Sequence, residues 1–458
     1  MKPTTLSTVL NLFLPADVIR ERDQQLGGQQ RQRKRDVVAL VRSLVLSSGS
    51  DDSGRQADVF SSHLLSANTP VSRSGFYAWF TMPLAFLLSY ILEDALNTVR
   101  ALNPVLTGAL AGMKDWRAVD SETVTLLPPL LSFFPATKKR AGLKIHKTDS
   151  FGRNNMVDFH LSPARRHDSS QLTIDETWRG MGLLIDLGYA SIQRIRHCKR
   201  YDVGLILRLK KGWKPSLLAM VDLSGERVEL AGKPVSTSLL EMPSGRYSRP
   251  YDFDVAFGQG RNRVTARLVG VPVEDGFHWC ITLLERSCYP PALVSQLYRV
   301  RWGIECDNRQ EKGAARLDQL RARCLSSVLV LVFASLLRNL ISNHLVYLDL
   351  TQRCAKQAPL HGFAVSLAMN TASSLILWAL KADVEELWSP ITAMLSIRGR
   401  DPNWRGRPSQ LDQLRQTTAL PGRPRTVPLR RAPPQARPFR RKDIHSEKRQ
   451  MANGLIAD

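Results

Sequence analysis

Residues 297–313 read "LYRVRWGIECDNRQEKG", a stretch dense in charge and thin in apolar side chains. Taken as one helix at about 100° per residue, Tyr298, Arg301, Glu305 and Lys312 fall within about 60° of arc. The stripe presents one carboxylate among cations over about 20 Å, at about 1.5 Å per residue, a length suited to a run of phosphates. A solvated helix face shows the same spacing, so its meaning turns on what the rest of the chain supplies.

Two upstream acids supply partners. Hard divalent cations take oxygen ligands, and a paired-metal site draws carboxylates from several elements. Asp120 in "RAVDSETVTLL" and Asp186 in "GLLIDLGYAS" each follow an apolar run. Asp186 stands at a strand end before a glycine and a helical pattern, where a mixed sheet offers side chains to ligand. Either acid alone reads equally well as a turn or helix-cap residue.

Composition narrows the partner. The 458-residue chain carries a formal charge of +23, which favours an extended polyanion, nucleic acid ahead of an anionic membrane. Its apolar fraction of 43% suits a globular protein with a sizeable core. The six cysteines form no C-x-x-C pair, no Cys/His set has zinc spacing, and no Ser-His-Asp or Cys-His arrangement stands out. No secretory leader is read at the start, so a reduced cytoplasmic compartment is expected. The apolar segment Leu325 to Leu337 stops at Arg338, short of the roughly 20 residues a bilayer requires, and is read as a buried core helix.

Periodicity divides the chain. Residues 1–105 alternate helical apolar patterns with polar breaks and carry the basic cluster "RQRKRD", which suggests a helical DNA-binding region. Residues 106–211 mix short β-branched runs with a helical pattern, the mark of an α/β core. Residues 212–290 read as a β-rich insertion, and the helical period returns over 291–395. Residues 396–458 form a basic Pro/Arg-rich tail expected to be disordered, for want of an apolar face to offset chain entropy.

The segments "AVDSETV", "AGLKIH", "RRHDSS", "LLIDLGY", "LILRLKK" and "YRVRWGIECDNRQEK", in that order across roughly residues 60–345, resemble the insertion-sequence transposases of the DDE superfamily. That family's signature is Y-x2-R-x3-E-x6-K, and Tyr298, Arg301, Glu305 and Lys312 occupy all four positions. The resemblance implies an RNase H-like core in which Asp120, Asp186 and Glu305 are the catalytic, metal-binding triad. They would hold two Mg²⁺ ions, with Mn²⁺ able to substitute, for phosphodiester hydrolysis and strand transfer. It implies that Tyr298, Arg301 and Lys312 grip DNA phosphates, and that Trp279 in "FHWCITLLE" stacks on a flipped base near the element end. It further implies cut-and-paste transposition by a homodimer acting on double-stranded DNA, terminal inverted repeats and target alike, in a prokaryotic, nucleoid-associated setting with no membrane. Phosphate contacts would make binding salt-sensitive, with a log-log slope of about −0.9 per contact.

Asp168 in "RRHDSS" and the histidines His146 and His167 are read as supporting groups rather than ligands. Two departures stand out: Asn308 and Glu311 occupy positions where the family places an aromatic and an aliphatic residue, and Glu122 adds an acid beside Asp120. Polar residues at packing positions suggest a loosened Glu305 helix. This leaves two alternatives, a catalytically degenerate DNA-binding descendant and an RNase H-like Mg²⁺-dependent nuclease.

Overall fold

A computed structural model describes residues 3–27, 35–47, 56–67, 70–221, 226–230, 232, 234, 249–274, 276–314, 316–317, 320–352, 357–382 and 384–417. Partly alternating apolar and polar residues build the strands β1 (Trp116–Leu126), β2 (Ala141–Ser150) and β3 (Asn155–Pro163), and short buried apolar runs build β4 (Gly182–Ile185) and β5 (Gly204–Arg208). The insertion supplies β6 (Ser216–Val221), β7 (Arg227–Glu229), β8 (Tyr251–Phe257), β9 (Val264–Val273) and β10 (Gly276–Thr282). All ten form one sheet in the order β3-β2-β1-β4-β5-β10-β9-β8-β6-β7. β1, β2 and β3 pair antiparallel, whereas β1, β4 and β5 run parallel, with α7 (Ile192–Arg200) as the crossover between the last two. The mixed α/β core is therefore as the sequence implied. The insertion continues it, because β10 pairs antiparallel with β5 and takes the sheet onward.

Helices other than α7, which packs with Leu183, Ile185 and Leu205 on the opposite side, cover one face of this sheet. The N-terminal set comprises α1 (Pro3–Phe13), α2 (Ala16–Gln25), α3 (Val37–Ser47), α4 (Gln56–Ser66), α5 (Arg73–Tyr77) and α6 (Met82–Ala101). Past the insertion come α8 (Pro291–Val300), α9 (Trp302–Gly313), α10 (Leu325–Gln352), α11 (Gly362–Ala382), α12 (Trp388–Arg398) and α13 (Gln410–Gln416). The N-terminal helices share a single apolar core with α10, α11, α12 and the β1–β3 face, so residues 1–105 do not form a self-contained unit. Helix α3 shows why: "VVALVRSLVLS" is buried at every position, and a helix buried on every side needs partners on all sides. In the basic cluster, Arg35 turns inward to Asp23 at 3.2 Å, while Arg31–Lys34 lie outside the described residues.

Two further expectations are corrected. Helix α10 does not stop at Arg338 but runs through it. The guanidinium is buried and donates to Ser366 Oγ (3.1 Å), the Ser366 carbonyl (2.7 Å) and the Leu46 carbonyl (3.3 Å), which lets a cation sit inside an apolar helix. At 28 residues α10 is long and apolar enough to cross a bilayer, yet 89% of its apolar window is covered by the protein, as expected of a core helix. Residues 396–417 of the anticipated tail are folded. Leu414 of α13 is buried beside Ala109 and Leu110, and Thr107 Oγ1 donates to the Arg415 carbonyl at 3.0 Å. Gly108, at φ 59°, permits that approach, since a Cβ there would lie 2.4 Å from the Leu414 carbonyl oxygen. Residues 418–458 lie outside those described.

Candidate active site

The covered face of β1 carries every second residue: Trp116, Ala118, Asp120, Glu122, Val124 and Leu126. Two carboxylates thus interrupt an apolar row, and Glu122 shares the face of Asp120. β4 pairs with β1 as far as Val119 beside Ile185. One step further β4 ends, which leaves Asp186 level with Asp120 at the strand's carboxyl end before the turn Leu187–Tyr189. The third acid, Glu305, lies in the first turn of α9.

Arg301 joins them. Its Nη2 is hydrogen-bonded to Glu305 Oε1 and lies 4.0 Å from Asp186 Oδ1. Asp120 feels this guanidinium together with both other acids. Burial, the largest influence, pushes the Asp120 carboxyl above its ordinary range and the neighbouring acids push the same way; the Ser121 N–H and Arg301 oppose them. Ser121 N donates to Asp120 Oδ1 at 2.8 Å and Asn308 Nδ2 to Asp120 Oδ2 at 3.1 Å.

The single helix expected over 297–313 is divided at Arg301. Hydrogen bonds from Arg301 N to the Tyr298 carbonyl (3.1 Å) and from Ile304 N to the Arg301 carbonyl (3.2 Å) tighten the join to an i, i+3 pattern. The four signature residues consequently do not form one open stripe. Tyr298 is buried, its hydroxyl without a hydrogen-bond partner among the described residues, and burial raises its pKa to about 12. The Arg301 side chain is only 11% exposed, with its guanidinium 5.7 Å from the Tyr298 ring centre. Lys312 reaches back to Glu122 Oε2 at 3.8 Å.

That last pair and the Asn308–Asp120 bond set the register of α9 on β1. Four helical residues rise about 6 Å and two strand residues about 6.6 Å, so 308 and 312 meet 120 and 122 in step. Asn308, expected to loosen this helix, instead fastens it to the strand. The Glu311 side chain lies outside the described residues.

Trp279 does not join the site. It is 7% exposed and packs with Val119, Leu183, Ile185 and Leu207 on the opposite face of the sheet from Asp120. Its ring lies against Tyr251, Phe253 and Phe277 and over Gly270, its cross-strand partner, which leaves no free face for a base. Trp302, which the sequence reading passed over, is half exposed beside Arg301, with the Arg309 guanidinium 4.7 Å from its ring centre. Trp302 directly follows the signature arginine, and that position is the signal that could have found it.

A polar layer supports the site from the other face. Asp168 accepts from Lys144 Nζ (2.9 Å) and Ser121 Oγ (3.0 Å). Burial alone would raise its carboxyl, but these hydrogen bonds outweigh burial and hold it below the ordinary range. His146 bonds to the hydroxyls of Tyr189 and Ser162, both at 2.8 Å, which ties down the turn after Asp186. Burial, with His160 stacked at 4.4 Å, lowers the His146 pKa to about 3 and keeps the ring neutral. His167 caps the short helix Asp168–Ser170 by accepting from Ser169 N.

In kind, the acids fit a divalent cation: three carboxylates offset by one guanidinium keep a net negative charge and hard oxygen donors. Among the described residues, no three His, Cys, Asp or Glu side chains close to metal-holding distance, and Arg301 stands between two of the acids.

A family model for the transposase DDE domain matches residues 112–340, half of the chain, from just before β1 into α10. The chain belongs to the DDE transposase family. This transposase also resembles the cryo-EM structure of a piggyBac transposase synaptic complex with hairpin DNA, over 93% of its length and 87% of that chain, at 11% identity and a TM-score of 0.39. No curated protein matches the sequence. Transposases of this family act on DNA and generally use divalent metals.

Proposed function

We propose that this transposase moves an insertion sequence by cut-and-paste chemistry, with Asp120, Asp186 and Glu305 as its catalytic carboxylates. The observation that carries this reading is that α9 and the residue before it reach all three: Arg301 bonds Glu305 and lies 4.0 Å from Asp186, and Asn308 donates to Asp120. These three residues would hold Mg²⁺, or Mn²⁺ in its place, which when bound supplies charge neutralisation at the scissile phosphate and activation of the attacking oxygen.

The remaining side chains position and bind. Two N–H donors hold Asp120, and the His146–Tyr189 bond holds the turn after Asp186. Arg301 and Lys312 compensate the acids in the free chain and turn to backbone phosphates when DNA enters, Arg301 with a bidentate fork and Lys312 as a point charge. Tyr298 backs Arg301, and the exposed Trp302 is the aromatic at the DNA surface. The partner is double-stranded DNA, bound at terminal inverted repeats by a homodimer and then at the target, in a prokaryotic cytoplasm at the nucleoid. The helical region 1–105, the core segments 106–211 and 291–395, the insertion 212–290 and the basic segment from 396 divide this work.

Incubating the protein with labelled element-end DNA and Mg²⁺ tests the reading. Cleavage followed by joining to a target is expected, with both lost in Glu305→Ala. Absence of cleavage by the wild type, or cleavage by Glu305→Ala, refutes it.

A further inference from the structure

We infer that Asn308 is a positioning residue for Asp120, holding that carboxylate in the orientation from which it can bind a divalent cation. This rests on the reading of Asp120 as a ligand. Asn308 lies three residues beyond Glu305, on the same side of α9, and is 8% exposed. Its Nδ2 donates to Asp120 Oδ2 at 3.1 Å while Ser121 N donates to Asp120 Oδ1 at 2.8 Å. Each carboxylate oxygen therefore carries one N–H donor. A carboxylate offers about four lone-pair directions, so both of its torsions are fixed and about two directions remain for a cation.

The rest of the side chain argues against simple packing. Asn308 Oδ1 is buried and, among the described residues, has no hydrogen-bond partner, an arrangement that an aliphatic residue of similar volume would avoid. What the amide supplies that leucine cannot is the single donor to Asp120. That donor comes from the helix bearing Glu305, so two acids from distant parts of the sequence are held in one rigid relation. Hydrogen bonds of this kind orient metal-ligating carboxylates in general, and losing one typically weakens metal binding about 10- to 100-fold.

Calorimetric titration of the full chain with Mn²⁺, without DNA, measures this apart from activity. Asn308→Leu is expected to fold and to bind Mn²⁺ about 10- to 100-fold more weakly. Should it fail to fold, Asn308→Ala carries the same comparison. In an Asp120→Asn background, Asn308→Leu should cost nothing further, because its effect runs through Asp120. Wild-type Mn²⁺ affinity in a folded Asn308→Leu or Asn308→Ala chain overturns the inference. So does an undiminished loss in the Asp120→Asn background, which would mark a general loosening of α9. If Asp120→Ala alone binds Mn²⁺ like the wild type, the ligand reading fails, and the inference with it.

Discussion

Replacing Arg301 by methionine should tighten cation binding while weakening DNA cleavage. The guanidinium touches Glu305 and lies 4.0 Å from Asp186, so a cation entering between these acids meets a resident positive charge. A pair of unit charges at about 4 Å interacts by about 4 kcal/mol at an effective dielectric of about 20. Glu305 is 28% and Asp186 45% exposed, which brings the net effect down towards that of surface pairs, to about 1–2 kcal/mol. An increase in Mg²⁺ or Mn²⁺ affinity of about ten-fold follows, since about 1.4 kcal/mol is a factor of ten. Methionine keeps the buried stem that lies against Tyr298 and removes only the charge and its donors. Arg301→Lys, which keeps the charge, should stay close to the wild type in cation affinity. Calorimetric titration without DNA reads the difference directly. Unchanged or weaker cation binding by Arg301→Met would refute the view that Arg301 competes for the cation's place.

Two other substitutions probe the surroundings. Trp279→Ala should destabilise the fold by about 3–5 kcal/mol as a core truncation, whereas Trp279→Phe should keep wild-type affinity for element-end DNA and wild-type fluorescence of a 2-aminopurine at the end; loss of that base signal in a stable Trp279→Phe chain would return the residue to base recognition. Asp168 has a carboxyl held below its unfolded value of about 4, so its stabilisation is fully present above that pH and is lost as the pH falls through the lower folded value. The gap in unfolding midpoint between wild type and Asp168→Asn should accordingly be open at pH 6 and close in acid, and a gap independent of pH would show that the Lys144 pair contributes nothing.

The sheet was legible because its strands are short apolar runs broken by turns, and the places of Asp120 and Asp186 in it because one interrupts and the other ends such a run. Other features were hidden for physical reasons. Nothing in "FHWCITLLE" says which face of the sheet Trp279 takes; the register of β10 against β5 and β9 decides that, and pairing is non-local. The unity of the helical core was hidden because α3 and α10 are separated by the whole catalytic region yet cover each other. Arg338 seemed to end a helix because a charge in an apolar run costs energy unless it is paired, and its partners, Leu46 and Ser366, are remote in sequence. Asn308 was misread for the same reason: it departs from a local packing pattern, and its partner, Asp120, is 188 residues away.

These particulars explain how the fold tolerates several acids at one place. Packing Asp120, Asp186 and Glu305 together, with Glu122 beside them on β1, gathers negative charge that burial makes more costly. The segment that delivers Glu305 also delivers the relief, with Arg301 one turn before it, between Glu305 and Asp186, and Lys312 two turns after it against Glu122. Asn308 lies between these cations and fixes Asp120 by an uncharged donor. A second cation at that point would neutralise Asp120 and weaken its hold on a metal, whereas an amide orients it and leaves its charge available. The same spacing that reads as a grip on DNA thus also supplies the counter-charge of these acids. On the proposed function, Asp120, Asp186 and Glu305 would hold the metal and Arg301 would turn from these acids to the phosphates.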